Sequence, residues 1–221
     1  MVKTTFRNLS SEKQHAFTQA ALREFAYHTY NDASISRIVR TLEIAKGSFY
    51  QYFADKKALY LYLKEEAENR KRANIAQVFA KEYDDFWELF RQLYVSGIQF
   101  DRDEPLYSAF LYRSAQADAL PGTSASSRSQ LAEGITFFRD ILIAEQKKGH
   151  LKPDLDPELV AYTLMQVGRG IDDWLYWKYG IDFKNNLQPE VSVVGPNQKE
   201  LLQMVDDIIH LLKFGMQHDP R

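Results

Sequence analysis

The stretch "IAKGSFYQYF", residues 44–53, decides how the chain is read. Ile44, Ser48 and Tyr52 recur every fourth residue, as do Ala45, Phe49 and Phe53, and that spacing stacks side chains on one face of an α-helix. Gly47 stands where such a helix should consolidate, at a cost of roughly 1 kcal/mol relative to alanine. Phe49, Tyr50, Tyr52 and Phe53 place four aromatics within five residues, more than a single buried stripe can use. Burial accounts for Phe49 and Phe53. It leaves a glycine and two tyrosines beside the lysine pair Lys56–Lys57, and these call for a partner outside the fold.

Working outward, helical periodicity dominates and no alternating run bounded by turns suggests a sheet, so an all-α chain is expected. Residues 10–28 read as a helix behind Ser10 and Ser11, with Phe17, Ala21, Leu22, Phe25 and Ala26 on one stripe. After "YNDAS", Ser34 is a candidate cap for a short helix carrying Ile35, Ile38, Val39 and Leu42, and a further helix runs from about Lys46 to Phe53. Asp55 is placed to cap a long helix to Phe79. Helices are expected at about 83–100, 104–117 and 125–148, the last closed by Gly149 and Pro153. Asp156 and Pro157 open another to Tyr179, and the final helix covers 198–216. Turns or loops are expected at Pro121–Gly122, in "TSASSRS" at 123–129 and around Pro189, Gly195 and Pro196.

Three short helices, the last two joined by a turn of about three residues, fit a helix-turn-helix, whose second helix enters the DNA major groove. Charge agrees: residues 1–60 hold nine Lys and Arg against five Asp and Glu, a net of +4, which leaves −6 for the remainder of a 221-residue chain of net charge −2. A basic head on an acidic body suits an anionic partner at one end.

The segment "SISRIVRTLEIAKGSFYQYFADKKALY", residues 34–60, resembles the DNA-binding signature of TetR-family transcriptional regulators. The places of that pattern are held by Ser34, Ile38, Val39, Ile44, Ala45, Lys46, Gly47, Ser48, Phe49, Tyr50, Tyr52 and Phe53, followed by Asp55, Lys56 and Leu59. Many members carry Ala-Gly in the turn, where this chain has Leu42 and Glu43. A non-glycine residue is therefore expected in a strained turn conformation. The resemblance implies an N-terminal three-helix DNA-binding domain, residues 1–54, on a larger helical effector-binding and dimerisation domain, residues 55–221.

Phosphates are gripped by cations, hydroxyls and helix N-termini. Tyr50 and Lys56 lead the candidates for this role, with Ser34, Tyr52 and Lys57 behind them, while Arg37 and Arg40 are divided between phosphate and plain surface. Lys46, Ser48 and Gln51, on the leading turns of the recognition helix, are the expected base readers, and Gly47 leaves room for the duplex.

In the body, aromatics crowd the middle helices, and Trp87, Phe90, Tyr94, Tyr107 and Phe110 are candidates to line an effector pocket, with Gln116, Arg169 and Asp173 to orient the ligand. They suit an ordinary core equally well. The resemblance implies that the last two helices pair across a twofold axis, and Leu164, Gly168, Ile171, Leu201, Val205, Ile208 and Leu212 are the expected dimer face. The function implied is a ligand-responsive regulator, a repressor released from a palindromic operator by a small molecule. It needs no cofactor.

The alternative is a helical adaptor that binds a protein partner. Enzyme chemistry has little to stand on. Cysteine is absent, and no glycine-rich nucleotide loop or nucleophile elbow occurs. The five histidines hold no metal-gripping spacing. Asp84–Asp85 and Asp172–Asp173 are adjacent pairs that diverge around a helix. The start lacks the apolar stretch of a signal peptide, and a cytoplasmic location is expected.

Overall fold

The computed structural model describes residues 2–115, 127–180, 191–192, 194 and 198–216. It is built of helices: α1 Thr4–Arg7, α2 Ser11–Tyr27, α3 Ile35–Thr41, α4 Lys46–Tyr52, α5 Lys56–Phe79, α6 Phe86–Asp103, α7 Pro105–Ser114, α8 Ser127–Lys147, α9 Pro157–Tyr179 and α10 Gln198–Met216. No helix among the described residues is long and apolar enough to cross a membrane. The expected helices appear with ends shifted by a few residues. The four-residue α1 was not foreseen. The expected turns at 121–122, 189 and 195–196 lie outside the described residues, as does 123–126 of "TSASSRS", the rest of which opens α8.

The chain forms two compact units. The first comprises the described residues of Met1–Ala73, Phe100–Ser124 and Lys184–Val193; the second comprises those of Asn74–Gln99, Ala125–Phe183 and Val194–Arg221. Unit 1 is organised around an aromatic cluster in which Phe6, Phe17, Phe25, Phe49, Phe53, Tyr107 and Phe110 are buried with Leu22, Ile38, Leu59 and Leu63. The rings of Phe17 and Phe53 stack at 5.5 Å, and Phe6 lies 4.9 Å from Phe53. Burying rings of this size contributes about 1.5–3 kcal/mol each. They hold α2, α3, α4, α5 and α7 together.

Unit 2 has its own core of Phe86, Trp87, Phe90, Leu142, Leu151, Val160, Ala161 and Leu164. Helices α8 and α9 run close enough that a Cβ on Gly134 would meet the Met165 thioether within 3 Å. The partly exposed ion pairs Arg91–Asp206 (2.6 Å) and Lys213–Asp85 (3.0 Å) join α6, and the turn before it, to α10. Such pairs fix register more than they stabilise, at about 0–1 kcal/mol each.

Helix ends follow local chemistry. Ser10 caps α2 through the Lys13 N–H, Asp55 receives the Ala58 N–H at 2.7 Å ahead of α5, and Asp156 caps α9 with Pro157 at its first position. Ser34 does not cap α3 with its side chain. Its own N–H instead donates to Glu24 at 2.7 Å.

Candidate nucleic-acid interface

The head is set by a buried acid. Glu24, on the inner face of α2 with its side chain 8% exposed, accepts from the Ser34 N–H and from the Arg37 guanidinium at 2.9 and 2.5 Å. Arg37 also donates to the Asp32 carbonyl at 2.6 Å, so it ties α3 to the α2–α3 turn. The hydrogen bond to Glu24, more than any other influence, moves its pKa above the usual arginine value. Arg37 is thus a strut of the head, which corrects its placing among the candidates for phosphate. Arg40, one turn on, is exposed.

Between α3 and α4 the chain turns through Glu43 at φ +53°. The Ile44 N–H reaches back to the Val39 carbonyl at 3.0 Å and closes the turn. A left-handed conformation costs a residue with a Cβ about 1–2 kcal/mol, so the strain expected from the missing glycine is present at Glu43.

That turn presents α4. Phe49 and Phe53 are fully buried and bolt the helix to the core, while Lys46, Gly47, Tyr50 and Gln51 are exposed and Ser48 is half-buried. Gly47 meets open space, since a Cβ built there finds nothing within 4 Å. Among the described residues, no packing contact requires a glycine at this position. Tyr50 is 49% exposed, its ring edge-on to Phe49 at 5.0 Å. Lys46 and Lys57 are exposed and make no hydrogen bond or ion pair among the described residues.

Two expectations need correction. Tyr52 does not face outward: its ring packs on Phe6 at 5.9 Å and Phe17 at 5.8 Å, because α4 ends there and turns its last side chain onto the core. Lys56 is not a free cation. Its ammonium donates to the Asn31 and Ala33 carbonyls at 3.1 and 3.0 Å and sits 4.8 Å over the Tyr30 ring, pinning the α2–α3 turn. An ammonium carries three N–H donors, so one is left for an anion.

The sequence reading missed the segment before α2. Val2 bridges to Phe53, and residues 3 and 5 bond to carbonyls at the end of α4. The only signal for it was Phe6, a lone aromatic in the polar "KTTFRN".

The other candidate residues part company. In unit 2, Phe90, Leu93, Tyr94, Phe138, Leu164, Met165 and Gly168 line a cavity of about 390 Å³. Of the candidate pocket residues, Phe90 and Tyr94 line this cavity. Trp87 is buried in the adjacent core, and Tyr107 and Phe110 lie in the core of unit 1, where the Arg70 guanidinium covers the Tyr107 ring at 4.5 Å. Asp173 is exposed on α9; Gln116 and the side chain of Arg169 lie outside the described residues.

Of the expected dimer face, Leu164, Leu201 and Val205 are buried inside unit 2, Leu212 is half-buried against its core and Gly168 lines the cavity. Ile171 and Ile208 line a groove of about 560 Å³ between α9 and α10, together with Trp174, Met204 and Leu211. The apolar groups that α9 and α10 leave in solvent are different ones: Trp174, Trp177 at 72% exposure, Leu211 at 75% and Phe214 at 72%. Both helices have apolar residues on more than one side. Of the lines chosen from sequence, Leu164, Leu201 and Val205 point inward, while Ile171 and Ile208 share a groove with the exposed Trp174 and Leu211.

Residues 17–63 match the family pattern described as "Bacterial regulatory proteins, tetR family". The chain is 42% identical over 50 residues to the HTH-type transcriptional regulator YuxN of Bacillus subtilis (strain 168), a match spanning 23% of this chain and 17% of that protein. It is 25% identical over 158 residues to the HTH-type transcriptional regulator YdgC of the same organism, covering 70% of this chain and 76% of that one. Among solved structures, a TetR family transcriptional regulator from Chloroflexus aurantiacus J-10-FL superposes with a TM-score of 0.74 at 29% identity, over 99% of this chain and 100% of that one. The signature at 34–60, the helix-turn-helix that carries it and these likenesses agree: residues 17–63 carry the DNA-binding pattern of the TetR family, and the chain as a whole is similar to a TetR family transcriptional regulator.

Proposed function

We propose that the protein is a homodimeric repressor that grips a palindromic operator with two copies of α4 and releases it when a small molecule enters unit 2. In this reading residues 1–54 are the DNA-binding domain and 55–221 the effector-binding and dimerisation domain. The protein works in the cytoplasm, by binding rather than turnover.

The observation that carries the DNA assignment is the exposed side of α4, where, among the described residues, a Cβ on Gly47 would meet nothing within 4 Å and Lys46 has no hydrogen-bond or ion-pair partner. Lys46, Ser48 and Gln51 read base edges; Tyr50 and Lys57 hold phosphates, with the remaining donor of Lys56 beside them. Ser34 and Arg37 act from behind, by holding the turn. The dimer face is the solvent side of α9 and α10, which leave Trp174, Trp177, Leu211 and Phe214 exposed, with Trp174 beside Trp177 at 5.0 Å and sharing a groove with Leu211.

The effector site is the cavity at Tyr94. Among the described residues that line it, the Tyr94 hydroxyl is the one side-chain hydrogen-bond donor, and burial pushes the pKa of that phenol up to about 12. The hydroxyl therefore stays protonated and can donate. The cavity suits an uncharged, mostly apolar molecule carrying one hydrogen-bond acceptor.

Selection of bound fragments from random DNA, followed by footprinting, tests the function. The expected result is an inverted repeat with half-sites one helical turn or a multiple apart, bound with a steep salt dependence. Recovery of fragments with no common sequence would sink it.

A further inference from the structure

We propose that the segment Lys3–Phe6 clamps the recognition helix, with Lys3 and Thr5 as positioning residues for operator discrimination; the inference rests on the DNA-binding reading of α4. Every α-helix leaves its last four carbonyls without a donor of its own. In α4 these belong to Phe49, Tyr50, Gln51 and Tyr52. The Phe49 oxygen receives the Phe53 N–H at 2.9 Å, just beyond the helix. The other three are filled from the N-terminal segment: the Lys3 ammonium donates to the Tyr50 carbonyl at 2.6 Å, the Thr5 hydroxyl to that of Gln51, and the Lys3 N–H to that of Tyr52 at 2.9 Å.

The clamp is itself anchored. Phe6 is buried to 1% exposure, with its ring against Phe17, Phe53 and Tyr62 at 4.9–5.5 Å. By contrast Lys3 and Thr5 are exposed, so burial gives no reason for either side chain. The Lys3 charge also lies at the negative end of the helix dipole.

A helix of seven residues needs this support. Its N-cap, Ala45, offers no side-chain acceptor, and helices so short are marginal without tertiary bonds. Reading base edges requires Lys46, Ser48 and Gln51 to be held within about 0.5 Å of a productive pose. Phe49 and Phe53 fix one side of α4. The clamp fixes its end, next to Gln51.

Thr5→Val keeps shape and charge and removes one donor. In the full-length protein, affinity for the duplex selected from random DNA should fall about three- to tenfold. Affinity for a scrambled duplex and the salt dependence of binding should stay unchanged, and amide hydrogen exchange should quicken in the last turn of α4. Thr5→Ser should restore wild-type behaviour in each measurement. Lys3→Met should also lower operator affinity at an unchanged salt slope, since its ammonium is engaged with Tyr50; a slope reduced by about one would make Lys3 a phosphate contact and overturn its part. An equal loss on both duplexes, or Thr5→Val with unaltered affinity and exchange, overturns the clamp. A wild-type protein that does not discriminate between the duplexes fails the regulatory reading instead, and the exchange of α4 in Thr5→Val then decides whether the clamp exists.

Discussion

The head and the cavity of unit 2 use the same residue type to opposite ends. In the head, aromatic rings divide cleanly: Phe49 and Phe53 have no exposure, whereas Tyr50, between them in sequence, is half exposed. In unit 2, Phe86, Trp87, Phe90 and Tyr94 follow one another along α6 within one aromatic cluster, with rings 5.2–6.5 Å apart. Only Phe90 and Tyr94 reach the cavity. The lesson concerns what each surface must fit. A duplex demands cations, hydroxyls and clearance at fixed helical positions, and this leaves a signature in residue type. An apolar cavity demands only what a core demands, and the two differ by whether a neighbouring side chain fills the space.

The contrast can be broken at its strongest point. Phe53→Ala should destabilise unit 1 by about 3–5 kcal/mol, measured by denaturant unfolding, because the site cannot collapse around the lost ring. Glu24→Ala should cost about 2 kcal/mol, reduced from a fully buried pair because Arg37 is 40% exposed, and should weaken binding to all DNA through the loosened turn.

Gly47→Ala separates folding from recognition. The new Cβ meets no protein atom and alanine favours the helix, so stability should rise by about 0.5–1 kcal/mol while operator affinity drops. Equal or better DNA binding would refute the idea that the glycine serves clearance.

Tyr94→Phe sharpens the other side. It should weaken an uncharged aromatic ketone such as 2-acetylnaphthalene about three- to tenfold and leave 2-ethylnaphthalene unaffected, by titration calorimetry. With the phenol pKa raised to about 12 in the folded state, the ketone's affinity should be level from about pH 6 to 9. Folded Tyr94 holds its proton more tightly than unfolded tyrosine, so its contribution to stability is complete below about pH 10 and fades toward 12. The smallest expected effect is Glu43→Gly, which should relieve the +53° φ and gain at most about 1 kcal/mol, because glycine's added freedom in the unfolded chain offsets part of the relief.

Much of the head was legible because its constraints are local. Helical spacing gave α4 and its buried pair, and the missing turn glycine gave the strained residue. The final helix, expected at about 198–216 behind the loop of Pro189, Gly195 and Pro196, runs Gln198–Met216. What escaped depends on residues distant in sequence. Arg37 and Lys56 read as surface cations until Glu24, thirteen positions from Arg37, and the carbonyls of residues 31 and 33 claimed them. Tyr52 read as outward because the segment carrying Phe6, which covers it, had no periodicity to betray it.

The sequence by itself determined the all-helical class and the TetR-like helix-turn-helix signature, because these are written in spacing and residue type. Only the tertiary structure decided which cations are engaged inside the protein, which rings line a cavity rather than fill a core, and which lines of α9 and α10 face solvent. Each of those depends on a neighbour from elsewhere in the chain, and a helix with apolar residues on several sides does not reveal which of them that neighbour will cover.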